Sequence, residues 1–348
     1  MHRRRSTPYA VVAALIALTA AGCLPTKLTI DLAPQPERLG ETDVIRDKAL
    51  GTFSPKVALI DIEGPIGFGE APAGLLGGAG NSVDRLVANL ERAEKDDRVR
   101  AIVLRVNSPG GTVAASETMY RELRRFREKT GKPIIVSMGE VAASGGYFIA
   151  LAADHLIAQE STITGSIGVI FQTFNFSRGM GMIGVEGRAV TSAKNKDVAN
   201  PFAPPRDEHY AILQAMVDDF YASFRGLVSE RRPALASSAR LDEMTDGRVV
   251  TGKAALAAGL IDELGGVREA FDKAKSLAGV EKARLVKYHA SGARPMSPYA
   301  AASGVPAPSM GTRVDVDVID AGAALGPAQA HGRFMYLWTP DFPAGAGR

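Results

Sequence analysis

Ala101-Ile102-Val103-Leu104-Arg105-Val106-Asn107-Ser108-Pro109-Gly110-Gly111 is the stretch whose reading decides the fold. A short, β-branched apolar run that stops dead in a Pro-Gly-Gly turn reads as a buried strand feeding a tight turn and then a helix. The same unit comes again downstream: a strand from Pro133 to Met138, the turn Ala143-Ser144-Gly145-Gly146, then an apolar helix. Upstream, Val57-Ala58-Leu59-Ile60-Asp61-Ile62 supplies a strand, and a helix starting near Asn81 or Ser82 carries Val83, Leu86, Val87 and Leu90 on one face. A helix from Glu117 to Lys129 and a strand near His155 to Ala158 continue the alternation. Repeated strand-turn-helix units imply right-handed βαβ crossovers and a mainly parallel sheet, so the predicted class is α/β. Ligands of such sheets lie beyond the carboxyl ends of the strands, where both glycine turns fall.

Farther out, about Arg206 to Arg231 forms a long helical extension with Ile212, Leu213, Met216, Val217, Phe220 and Phe224 at helical spacing, which fits core packing or a subunit contact. Beyond Tyr288 the chain turns rich in Ala, Pro, Gly and Ser, then gives one apolar patch, Phe334-Met335-Tyr336-Leu337-Trp338. This reads as a linker, 289–348, ending in a docking segment. No internal repeat duplicates the βαβ body of 56–288.

With 348 residues and 46% hydrophobic content the chain can bury a large core. Arg3, Arg4 and Arg5 precede an apolar run from Tyr9 to Ala21 that is too short to span a bilayer, the pattern of a secretory signal over residues 1–22. Its loss takes three of the 41 basic residues and none of the 38 acidic ones, which leaves the two signs equal and no basic surface for nucleic acid. Thr19-Ala20-Ala21-Gly22-Cys23 resembles the lipobox of bacterial lipoproteins, with Ala20 where leucine is usual. That resemblance makes Cys23 the lipid attachment site and the mature N-terminus, followed by a polar, proline-containing tether over 23–55. A lone cysteine also excludes an intramolecular disulfide and a CxxC metal site.

A serine flanked by small residues beside a second Gly-Gly turn is a way to hold a nucleophile near free backbone N–H groups. Ser144 then needs a base. His2 is in the signal, His331 in the tail, His289 after the last strand, His155 within a strand pattern and His209 in the first turn of a helix; none is well placed. His, Asp and Glu show no metal-ligand spacing, so no metal or other cofactor is expected.

Ala142-Ala143-Ser144-Gly145-Gly146-Tyr147, Thr164-Gly165-Ser166-Ile167-Gly168, Lys194-Asn195-Lys196-Asp197, Gly247-Arg248-Val249-Val250-Thr251-Gly252 and Ala258-Gly259-Leu260-Ile261-Asp262 occur in order and with sensible spacing. Together they resemble the signal peptide peptidase A family of serine proteases, over about residues 56 to 288. The resemblance implies the fold shared by the Clp protease subunit and the crotonases, and a Ser/Lys pair in which Ser144 is the nucleophile and Lys196 the general base, with Lys194 as the alternative base. A free lysine has a pKa of about 10.4, so roughly one in 10³ is neutral at pH 7; burial away from carboxylates must lower it. In an extended segment Asp197 would face away from Lys196.

Backbone N–H groups of Gly111, Gly110 and Gly145 are the expected oxyanion donors, since glycine lets main chain approach a carbonyl closely. Thr164 and Ser166 stand either as site-lining hydroxyls or as turn residues, and Arg248 as a structural ion pair or a substrate contact. The expected activity is an envelope-facing, lipid-anchored endopeptidase acting on extended peptides such as cleaved signal peptides. Family resemblance further implies a homo-oligomeric ring whose sites combine residues of adjacent subunits. Two other readings compete. A crotonase-type acyl-CoA enzyme is opposed by the secretory signal and by the lack of a suitably placed Glu pair, and a non-catalytic lipoprotein scaffold would keep the fold without the reaction.

Overall fold

The computed structural model describes residues 27–28, 39–51, 53–68, 81–236, 239–289, 294–300, 316–317 and 334–337. These fall in two compact units, one drawn from 1–36 and 308–326 and the other from 37–307 and 327–348. In the first unit, β1 (Lys27–Leu28) pairs antiparallel with a strand at Val316–Asp317. Cys23 and the signal segment 1–22 lie outside the described residues.

The second unit carries the sheet. Its elements in chain order are β2 (Gly40–Arg46), β3 (Lys56–Glu63), α1 (Ser82–Lys95), β4 (Val99–Ser108), β5 (Gly110–Thr112), α2 (Val113–Thr130), β6 (Ile134–Ala143), α3 (Gly145–Ala150), β7 (His155–Ala158), β8 (Ile163–Gly165), β9 (Ile170–Phe171) and α4 (Ser177–Met182). There follow α5 (Asp207–Arg231), α6 (Pro233–Ala236), α7 (Arg240–Met244), β10 (Val249–Thr251), α8 (Gly252–Ala258), β11 (Glu263–Leu264), α9 (Val267–Leu277) and β12 (Arg284–His289). With Val316–Asp317 counted as β13, the last described strand is β14 (Phe334–Leu337).

The main sheet runs β10-β8-β6-β4-β3-β12-β2, with β7 and β11 branching from β6. Every pairing in it is parallel except β10 with β8 and β12 with β2. Parallel strands are buried on both faces, and the side chains divide accordingly. Ala58, Ile60, Ile62, Ile102, Leu104 and Val106 join one core cluster, which takes in Leu86 and Leu90 of α1 and Met119 and Leu123 of α2. Val57, Leu59, Ala101, Val103 and Ile135 join a second cluster against Val267, Ala270, Phe271 and Ala274 of α9. Asn81 caps α1 by accepting from the Val83 amide at 2.9 Å.

Several boundaries differ from the sequence reading. The segment expected as a tether contains β2, which completes the sheet edge by pairing with β12. α2 begins at Val113, a turn earlier than expected, because the Thr112 hydroxyl caps it by accepting from the Ala115 amide. β6 runs on to Ala143, since after Met138 it trades its partner β7 for β8. In α5 the buried stripe is His209, Leu213, Phe224 and Val228, and Ile212 and Met216 face outward.

Candidate active site

The extension of β6 delivers Ser144 to the end of the sheet, one residue past the last residue that pairs with β8. Ser144 sits at φ 51° and ψ −115° between β6 and α3. That is a strained conformation for a residue with a β-carbon, and strand-to-helix turns of this kind present nucleophilic serines. The turn is fixed from both sides: the Ser144 amide donates to the Gly165 carbonyl at 2.8 Å, and its carbonyl accepts from the Phe148 amide at 2.8 Å. Ser144 is 1% exposed, and its hydroxyl makes no hydrogen bond to a described group.

The β4–β5 turn closes over it. A β-carbon on Gly145 would lie 2.6 Å from Ser116 Oγ and 3.1 Å from both the Gly110 Cα and the Gly111 nitrogen, so the two glycine turns touch and only glycine fits. Gly110, at φ 105°, donates its amide to Ser108 Oγ at 3.1 Å, and that hydroxyl donates to the Gly64 carbonyl at 2.7 Å. Thr112 donates to the Ile66 carbonyl at 2.9 Å. The remaining β5 residue, Gly111, stands opposite Tyr336 of β14. The Gly145 amide is bonded to no described group. Gly110, expected as an oxyanion donor, gives its amide to Ser108 Oγ here.

The base candidates are elsewhere. Lys196 is exposed on a run of turns, its amide bonded to the Ala193 carbonyl at 3.0 Å and its ammonium to no described group. The segment is not extended, so strand alternation does not separate Lys196 from Asp197. Instead Arg206 draws the Asp197 carboxylate away, at 2.7 Å. Lys194 lies 3.6 Å from the Glu208 carboxylate. Among the described residues two lysines are fully buried and both are paired: Lys56 lies between Glu41 and Asp96 at 2.6 and 2.8 Å, and Lys287 against Asp61 at 2.5 Å. Among the described residues no lysine is hydrogen-bonded to Ser144.

The remaining expectations resolve plainly. His155 pairs with Glu263 at 3.0 Å on β7, which borders the first half of β6 and not its end. Thr164, within β8, is buried and donates across the ladder to the Ala142 carbonyl of β6 at 2.7 Å, and Arg248 forms ion pairs with Glu243 and Asp246 at 2.6 and 2.8 Å. Ser166 shares the strained φ of Ser144 and bonds through its amide to the Arg248 carbonyl. Among the described residues no cluster of His, Cys, Asp and Glu could hold a metal ion, and no helix is long and apolar enough to cross a membrane. Sequence reasoning missed Ser108 and Ser116, whose hydroxyls shape the two turns, and Tyr336, which lies over them. Only the small residues around the turns hinted at such close packing.

A mainly parallel sheet with a strained serine and an abutting Gly-Gly turn at its carboxyl end defines an α/β protein of the Clp protease-like class. The Clp protease family profile accordingly matches residues 79–164, and that of peptidase family S49 matches residues 126–281. A Synechocystis sp. protein named as a candidate protease is 34% identical over 226 residues, 65% of this chain and 76% of that one. Protease 4 of Haemophilus influenzae is 39% identical over 224 residues, and the chloroplastic serine protease SPPA of Arabidopsis thaliana 32% over 226. The chain belongs to peptidase family S49, whose members are serine-type peptidases. It spans 35% of the length of the Haemophilus protein and 33% of the Arabidopsis one.

Proposed function

We propose that this chain is a lipid-anchored serine endopeptidase of the cell envelope that cleaves extended peptides, cleaved signal peptides among them. The observation that carries the reading is Ser144 held at φ 51° directly against the Gly110-Gly111 turn. Ser144 Oγ attacks the scissile carbonyl while a neutral lysine takes its proton. The N–H groups of Gly111 and Gly145 bind the oxyanion, each such donor contributing about 3–4 kcal/mol in the transition state. The tetrahedral intermediate expels the amine, which takes the proton back from the ammonium. Water then attacks the acyl-enzyme by the same route and regenerates the serine.

The lysine is Lys196 of a neighbouring copy in a ring. Its ammonium, bonded to no described group and exposed on a run of turns, favours this. Cys23 carries the lipid.

Peptide turnover by the full chain and by its Ser144→Ala and Lys196→Ala variants tests the scheme. Both variants are expected to be inactive alone, and an equimolar refolded mixture is expected to recover activity, since about a quarter of shared sites then combine both intact residues. Turnover by Ser144→Ala would refute the nucleophile. Turnover by Lys196→Ala would refute the base.

A further inference from the structure

The start of α5 holds the segment that carries Lys196. Arg206 stands at the N-cap of that helix, a position that favours Ser, Thr, Asp or Asn, and its side chain makes no capping bond. Its guanidinium turns instead to the run of turns before it. Arg206 Nη2 donates to the Lys194 carbonyl at 2.6 Å and to Asp197 Oδ1 at 2.7 Å, so one nitrogen takes a residue on each side of Lys196. The ring of His209, 5% exposed, lies against the same guanidinium, and its Nε2 is 3.3 Å from the Lys194 carbonyl oxygen. The helix behind them is anchored by its buried Leu213, Phe224 and Val228.

The charges are arranged to the same end. Asp197 is next to Lys196 in the chain, yet its carboxylate pairs with Arg206, and the Lys196 ammonium pairs with no described group. Glu208, in the first turn of α5, lies 3.6 Å from Lys194 and 3.9 Å from Arg206 Nη1. Asp207 is exposed and pairs with no described group. Both charged residues within two positions of Lys196 are therefore tied to the start of α5. A carboxylate within about 4–6 Å of an ammonium favours its charged form. A general base has to be neutral to accept a proton.

We propose that Arg206 is a positioning residue for the base: it draws the Asp197 carboxylate off Lys196 and, through the Lys194 carbonyl, fixes the segment that presents Lys196 to a serine. The inference rests on the reading of Lys196 as general base. Arg206 acts through Asp197 and not on the substrate.

Cleavage of fluorescein-labelled casein at limiting substrate, by the full chain across pH, reads kcat/KM and tests the proposal. Arg206→Gln is expected to move the acidic limb of the profile up by about 0.5–1 pH unit, so that turnover on that limb falls about 3- to 10-fold. Adding Asp197→Asn to Arg206→Gln is expected to bring the limb back, because no carboxylate is left to restrain. An arginine that only held the fold together would not be rescued in this way. A limb that stays in place in Arg206→Gln, or that does not return in the double variant, would overturn the proposal. Should Arg206→Gln alone lose all turnover, recovery in the double variant supports the proposal and its absence overturns it. Lys196→Ala, measured in parallel, separates two failures. If it is inactive, an unmoved limb counts against Arg206 alone; if it cleaves casein, the base reading falls and the proposal with it.

Discussion

Replacing Ser144 by glycine asks how much strain the turn stores. An alanine-to-glycine change at an ordinary buried strand position removes a carbon worth about 0.8 kcal/mol of burial and adds about 0.5–1 kcal/mol of backbone freedom in the unfolded chain. Ala143, fully buried at the end of β6 with ordinary backbone angles, is such a position, so Ala143→Gly should cost about 1.5 kcal/mol. Ser144, one residue on, is just as buried but sits at φ 51° and ψ −115°. Holding a β-carbon there costs about 1–3 kcal/mol, which glycine relieves. Its hydroxyl bonds to no described group, so Ser144→Ala keeps the strain and loses little else.

Relative to Ser144→Ala, Ser144→Gly should therefore lie between about 0.5 kcal/mol less stable and about 1.5 kcal/mol more stable. Thermal unfolding followed by circular dichroism at 222 nm, at one fixed protein concentration, reads the comparison. For a domain this size about 1 kcal/mol is worth roughly 2–4 °C, so Ala143→Gly should fall by about 3–6 °C while Ser144→Gly should lie no more than about 2 °C below Ser144→Ala or rise above it. A Ser144→Gly midpoint as far below Ser144→Ala as Ala143→Gly is below the unaltered chain would refute the strain argument.

Gly145→Ala should lower stability and abolish turnover, because its β-carbon would press on Ser116 Oγ at 2.6 Å; adding Ser116→Ala should restore part of the stability, as unfolding midpoints would show. Asp96 gives a pH signature. Burial works against its charge, but hydrogen bonds from Lys56 and from the amide and side chain of Arg98 overcome this and hold its pKa at about 2. A lowered pKa stabilises the fold above the unfolded value near 3.8 and loses that contribution as pH falls through about 2. After screening at this partly exposed site, Asp96→Asn should lose about 1 kcal/mol of titrating stability at pH 7, and that difference should close between about pH 4 and pH 2 in urea unfolding. A gap that does not change with pH would contradict the linkage.

Local patterns carried most of the sheet. Val57 to Ile62 and Ala101 to Val106 are apolar, β-branched runs whose identity as buried strands needs no distant information, and Asn81 announces its own helix. What could not be read depends on partners far along the chain. β2 is polar and half-exposed because it is an edge strand, defined by pairing with residues more than 200 positions away. The continuation of β6 through Gly139–Ala143 is not strand-like in composition; it exists because β8 lies alongside. At the site, the glycine turns were legible as turns, but the use of the Gly110 amide by Ser108 is a three-dimensional fact. So is the docking of Phe334–Leu337, which the sequence marks as an apolar patch without saying where it lands.

Everything proposed for this site depends on Ser144 being a nucleophile. Incubating the full chain with a fluorophosphonate and mapping the adduct by peptide mass spectrometry tests it most directly. One phosphonylated residue is expected, Ser144, with no labelling of the Ser144→Ala chain and a labelling rate sharply reduced by Lys196→Ala. A chain that stays unlabelled while it hydrolyses peptide, or an adduct that persists in Ser144→Ala, would contradict it.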